Sequence, residues 1–133
     1  MKLLHFFAVF LCTTALALAA EVPRIAPAEA AKRAAESKAV IVDVREPAEC
    51  AATGVARPAV LLPKSDFDGD QKLWKPFLAS LGDKEVILYC HSGRRAGLVG
   101  AALARQGIKV ANAGGLRDWT AAGLPLRKVA PAP

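Results

Sequence analysis

Apolar positions follow two rhythms along this chain. Short unbroken runs rich in β-branched residues recur at Ala39-Val40-Ile41-Val42 (continuing to Asp43-Val44-Arg45), Ala59–Leu62, Val86–Cys90 and Ile108–Ala113. Strands buried on both faces of a parallel sheet read this way, as continuous rather than alternating apolar stretches. Between the runs the spacing is helical. An alanine-rich stretch from Ala28 to Lys38, carrying Glu29, Lys32, Arg33 and Glu36, predicts a first helix. Pro47 opens a small one through Cys50 and Ala52 that Gly54 stops. Leu73, Trp74, Phe77, Leu78 and Leu81 mark an amphipathic helix ended by Gly82, with Trp74 as a core anchor. Ala96 to Gln106, stopped by Gly107, is apolar on most faces and is expected to be largely buried. Gly97 and Gly100 cost that helix about 1 kcal/mol each against alanine, which close packing on the sheet would explain. Gly114-Gly115 reads as a tight turn before a last helix from Leu116 to Ala122 that carries Trp119. Alternating strands and helices predict α/β layers with parallel pairing.

The ends read differently. Lys2, an apolar stretch from Leu3 to Leu18 and Ala17-Leu18-Ala19 make residues 1–20 a signal peptide, cut after Ala19 or Ala20. The stretch is short for a membrane span, and an uncleaved anchor is the alternative. Cleavage would leave a periplasmic or secreted protein with no stable membrane association. Residues 21–27, with two prolines, form a linker, and 128–133 a loose tail around one domain at 28–127.

Composition narrows the partners. Of 133 residues, 53% are hydrophobic and 23% charged, with a net charge of +6. That balance is globular and suits small anions. The basic residues form no run and aromatics are few, so nucleic acid is not expected. Without the leader two cysteines remain, Cys50 and Cys90. In an exported chain a disulfide is one reading. Two free thiols, with Cys50 a buried apolar residue, is the favoured one. No C-x-x-C occurs and His91 directly follows Cys90, so no zinc site, and no metal or cofactor, is expected. Asp66-Phe67-Asp68-Gly69-Asp70 lacks the glycine and glutamate that an EF-hand requires at its sixth and twelfth positions, and reads as a solvated turn and helix start.

The chemistry concentrates in Val86-Ile87-Leu88-Tyr89-Cys90-His91-Ser92-Gly93-Arg94-Arg95-Ala96. A strand ends on a thiol, a small cationic loop follows, and a helix begins. Helix N-termini and adjacent cations favour a thiolate over a thiol, and the same groups suit an anionic substrate. This reading requires a sulfur open to solvent in an electropositive cup, and one not bridged to Cys50. Tyr89 packs within the strand. Asp43 and Arg45 lie where the preceding strand stops, the edge at which open α/β sheets bind ligands. For Asp43 a structural ion pair or cap is the favoured role.

Three stretches together resemble one family. Cys90-His91-Ser92-Gly93-Arg94-Arg95-Ala96 is similar to the active loop of rhodanese-like sulfurtransferases. Val42-Asp43-Val44-Arg45-Glu46-Pro47 resembles their first-strand signature. Asn112-Ala113-Gly114-Gly115-Leu116-Arg117-Asp118-Trp119, with Gly123-Leu124-Pro125, resembles their C-terminal one. The likeness spans about residues 25–127, and with the leader the chain is similar to single-domain periplasmic, phage-shock-type rhodaneses. Gly54-Val55-Ala56-Arg57-Pro58-Ala59 departs from a Gly-His-Ile-Pro-Gly-Ala pattern common in the family. The resemblance implies an α/β, three-layer fold with a mostly parallel five-stranded sheet flanked by helices. It also implies a thiosulfate sulfurtransferase working through a Cys90 persulfide, with cyanide or a thiol, free or on a partner protein, as acceptor. His91, Ser92, Gly93, Arg94 and Arg95 would bind the donor, His91 either tuning charge or simply facing solvent. Asp43 and Arg45 would support the loop. The rivals are a cysteine-dependent phosphatase or arsenate reductase on the same scaffold, and a non-catalytic binding module. Four residues separate Cys90 from Arg95, where a tetrahedral oxyanion wants five, which favours sulfur transfer.

Overall fold

A computed structural model describes residues 21–131; residues 1–20, on which the expected signal peptide falls, and the last two residues lie outside the described part. Its centre is a parallel sheet in the order β3-β1-β4-β5, formed by β1 (Ala39–Asp43), β3 (Val60–Leu61), β4 (Glu85–Cys90) and β5 (Val110–Gly115). Every residue of β4 is buried, as a central strand covered on both faces must be. One side packs Val42, Val44, Trp74, Leu88, Val99 and Leu103 into a core. The other packs Ile41, Ile87, Ala111, Ala113 and Trp119. The two cores are the physical content of the three-layer α/β fold.

The helices are α1 (Pro27–Ala35), α2 (Pro47–Thr53), α3 (Lys64–Asp68), α4 (Trp74–Ser80), α5 (Arg94–Arg105) and α6 (Leu116–Ala121). Trp74 is the expected anchor: its ring meets Phe67 edge-on at 5.0 Å and its indole N–H donates to the Pro63 carbonyl at 3.1 Å. The acidic stretch does its work as a cap. The Asp66 carboxylate accepts the backbone N–H groups of Lys72, Leu73 and Trp74 at the start of α4.

Several expectations need correction. The segment read as a linker belongs to the sheet: Arg24 bridges Asn112 in parallel, the Asn112 N–H donates to the Pro23 carbonyl at 2.8 Å, and the Ile25 N–H donates to the Asn112 carbonyl at 3.1 Å. This single bridge, beyond β5, stands where a fifth strand would. Gly114-Gly115 is not a turn but the end of β5, which runs two residues later than the apolar pattern suggests. β2 (Val55–Ala56) and β6 (Leu126–Arg127) make a small antiparallel pair that the sequence reading did not contain. Part of the tail also packs, because Val129 and Ala130 line a groove with Arg45, Cys50 and Leu73. Finally, α5 buries only one face, and Leu98 is 56% exposed. Gly100 is tightly packed, since a Cβ there would lie 3.0 Å from Val22 and 3.2 Å from Leu88. Gly97 has ordinary room, so packing does not account for it.

Candidate functional site

The site forms where β4 stops. Cys90 is the strand's last residue, His91–Gly93 make the loop, and α5 starts at Arg94. Gly93 caps the helix at φ +96°, a left-handed conformation that a side chain would strain. That turn aims the Gly93 N–H at the Cys90 Sγ, 3.0 Å away. The bond holds the sulfur against the loop backbone. Cys50 and Cys90 are both free thiols, so no bridge joins them.

The expected open thiol is corrected. Cys90 is 1% exposed, and its sulfur sits on the floor of the loop rather than at its rim. His91, Ser92 and Arg94 are the exposed loop residues. Gly93 is buried and Arg95 half-buried. The cationic cup is also only partly as expected. Arg95 directs Nη1 and Nη2 to the two oxygens of Glu49, both at 2.7 Å. Its charge is therefore matched before any ligand arrives. Glu49 also accepts the Glu46 N–H at 2.9 Å, closing a capping box on α2.

That arrangement has a measurable signature. The Arg95 bond, joined by the Glu46 N–H, pulls the Glu49 carboxyl down to about 2. A carboxyl lowered on folding stabilises the fold above its unfolded pKa, and the gain is lost as pH falls through the folded value. Stability is expected to drop between pH ~4.5 and ~2 by about 1 kcal/mol from this group, given its partial exposure to solvent. Urea titrations of wild type and Glu49→Gln across that range check this; identical slopes would show that the pair carries no net weight.

β5 holds the loop from the side. The β4–β5 register shifts between Leu88 and Cys90, so Leu88 faces Asn112 while Cys90 faces Gly115. The extra residue on β5 is a bulge, a common way to re-aim a strand end. It presses Gly115 against the loop so closely that a Cβ there would lie 2.0 Å from the His91 carbonyl oxygen. Asn112 completes the clamp. Its Nδ2 donates to the Gly93 carbonyl at 2.8 Å, and its Oδ1 accepts the Gly114 N–H at 2.9 Å. The Asp118 carboxylate accepts the Gly115 N–H at 2.7 Å.

Asp43 and Arg45 form a support behind the site, not a ligand edge. They are 0% and 2% exposed. Arg45 donates through Nε and Nη2 to Asp43 at 2.8–3.1 Å, through Nη1 to Thr53 Oγ1 at 2.8 Å, and through Nη2 to the Gly54 carbonyl at 2.9 Å. The pair ties β1 to the far end of α2, whose Glu49 holds Arg95. The Arg45 guanidinium lies 5.9 Å from the Tyr89 ring centre, and the Tyr89 hydroxyl accepts the Ala56 N–H at 2.9 Å. Burial and the nearby Asp43 raise the Tyr89 phenol above its ordinary range, so it keeps its proton at neutral pH. Burial also pushes the Cys50 thiol up to about 11, with Asp43 adding to the shift. Cys50 is therefore a protonated bystander at neutral pH.

Sequence reasoning did not assign Glu49 or Asn112 to the site. Asn112 left a signal, as the one amide inside an apolar run. Glu49 left half of one, the Glu46/Glu49 capping spacing, but its partner Arg95 is 46 residues away.

A family model for the rhodanese-like domain matches residues 26–122. The chain belongs to the rhodanese-like family. Among solved structures, this rhodanese-like domain is similar to the polysulfide-sulfur transferase homodimer of Wolinella succinogenes, with 26% identity over 82% of this chain and 80% of that one, at a TM-score of 0.64. It is also similar to a Rhodopseudomonas palustris protein described as a possible tyrosine phosphatase, with 26% identity, 80% and 85% covered, and a TM-score of 0.67. A rhodanese-related protein of Thermoplasma volcanium shares the fold at 23% identity, with 79% and 97% covered and a TM-score of 0.64. No curated protein matches.

Proposed function

We propose that this domain is a sulfurtransferase that moves sulfane sulfur from thiosulfate through a persulfide on Cys90. The observation that carries the reading is the Gly93 N–H on the Cys90 sulfur, at the end of the central strand and the start of α5. The 1% exposure of Cys90 fails the open-sulfur condition, so the reading further requires a passage past the His91–Gly93 backbone that admits a small donor. The Cys90 thiolate attacks the outer sulfur of thiosulfate. A new S–S bond forms, the donor's S–S bond breaks, and sulfite leaves with the electron pair. Cyanide, or a thiolate on a small molecule or partner protein, then attacks the outer persulfide sulfur and restores the Cys90 thiolate. This is covalent catalysis in two displacements. The leader-like residues 1–20 support a periplasmic or secreted setting for it.

Phosphate chemistry fits less well. Four residues separate Cys90 from Arg95, where a phosphate cradle wants five, and that arginine is held on both nitrogens by Glu49. A pure binding module would have no need of a thiol paired to a loop amide.

Intact mass after thiosulfate treatment is the direct test. A gain of one sulfur on Cys90, removed by cyanide with release of thiocyanate, is the expected result. Unchanged mass and no thiocyanate would overturn the reading. The depth of the sulfur adds a second expectation. Small anions such as thiosulfate and iodoacetate should reach Cys90 at least about tenfold faster than a bulky maleimide, because the path runs past the fixed His91–Gly93 backbone. Equal rates by mass spectrometry would show that the loop opens freely.

A further inference from the structure

The donor is a dianion, and two of the cations around the site are already matched. Arg95 is bound by Glu49 and Arg45 by Asp43. Arg94 begins α5 exposed, and among the described residues it makes no ion pair. A second unmatched cation comes from an unexpected place, the segment that pairs with β5 before α1. The bridge between Arg24 and Asn112 sets the backbone there, and the Arg24 side chain lies over the active loop. Its Nη1 is 2.7 Å from where a Gly93 Cβ would be, and its Nη2 is 3.2 Å from where a Gly114 Cβ would be. The guanidinium thus occupies space left by two glycines, one of which supplies the amide bound to the Cys90 sulfur. Arg24 is an exposed residue; the Asp118 carboxylate, whose Oδ2 lies 2.5 Å from the same Gly114 Cβ position, is its neighbour, but no salt bridge joins Arg24 to a carboxylate among the described residues.

We infer that Arg24 is a donor-binding residue that selects dianionic sulfur donors, its guanidinium meeting the sulfonate end while the outer sulfur approaches Cys90. The assignment rests on the sulfurtransfer reading above. A planar guanidinium suits the oxygens of a sulfonate, with several N–H donors in a fixed fork. A positive charge beside the loop favours a doubly charged donor over a singly charged one, and that preference weakens with salt. No catalytic step passes through Arg24. It acts on binding, so its loss falls on KM and leaves kcat near wild type.

Steady-state kinetics of the full domain decide it, with thiosulfate or methanethiosulfonate as donor and cyanide as acceptor. The variants are Arg24→Gln and Arg24→Lys. In Arg24→Gln the KM for thiosulfate should rise about five- to tenfold and that for the monoanion no more than about twofold, with kcat within about twofold for both. Arg24→Lys, which keeps the charge, should recover most of the loss. Equal effects on the two donors, or a fall in kcat without a change in KM, would show that Arg24 only braces the loop and would overturn the assignment. So would a thiosulfate KM in Arg24→Gln that equals wild type, a result that leaves the sulfurtransfer reading standing. Wild-type protein inert toward both donors overturns that reading, and this one with it.

Discussion

Cys90→Ser should take up no sulfur from thiosulfate, with turnover to thiocyanate down by about a thousandfold or more. A serine hydroxyl is not ionised at neutral pH and cannot form a stable adduct with the outer sulfur. The same variant should stay folded. Its Oγ can accept the Gly93 N–H that the sulfur now accepts at 3.0 Å, and the residue it replaces is small. Melting within a few degrees of wild type, together with an unchanged intact mass after thiosulfate, is the expected pair of results. Residual turnover within tenfold of wild type would move the chemistry away from residue 90. Cys50 is the only other thiol among the described residues, and burial leaves it protonated.

Arg45→Leu should produce the largest loss of stability. It strands the Asp43 carboxylate, which is fully buried, and removes bonds to Thr53 Oγ1 and the Gly54 carbonyl. Breaking one partner of a buried ion pair costs roughly 3–5 kcal/mol, mostly through the charge left behind. For a domain of this size that is a fall in melting temperature of about 12–20 °C. The double change Asp43→Asn with Arg45→Leu should recover part of the loss, since no bare charge then remains. A single variant that melts within a few degrees of wild type would mean that Asp43 finds a proton or water without cost. The site should suffer with the fold, because Arg45 braces the end of α2 whose Glu49 holds Arg95.

The layer order and the place of the candidate thiol at a strand end were legible because both rest on local patterns. β-branched runs such as Val40-Ile41-Val42 can hardly be anything but buried strands, and a thiol before Gly93-Arg94-Arg95 has a chemistry of its own. What escaped was set by distance along the chain. β2 and β6 are two residues each, too short for any period to show. β5 ends in Ala113-Gly114-Gly115, which carries turn residues, and only the bulge beside Cys90 makes it a strand. The cationic cup was overdrawn for the same reason. Two adjacent arginines are visible in the sequence, whereas the carboxylate that matches Arg95 lies on another helix. The depth of Cys90 likewise depends on Gly115 closing against His91, a contact between strands that local spacing cannot encode.

The pairing of residues 23–25 with Asn112 has a bearing on where this domain can be cut. The family match, 26–122, is not the folding unit. A chain trimmed to it would strip β5 of its outer neighbour and free the N–H and carbonyl of Asn112, the residue whose side chain holds Gly93. It would also delete β6, and with it the partner of β2. An open parallel edge of that kind is a template for other chains. Trimming to residues 26–122 would therefore uncover β5 at Asn112 and leave β2 unpaired.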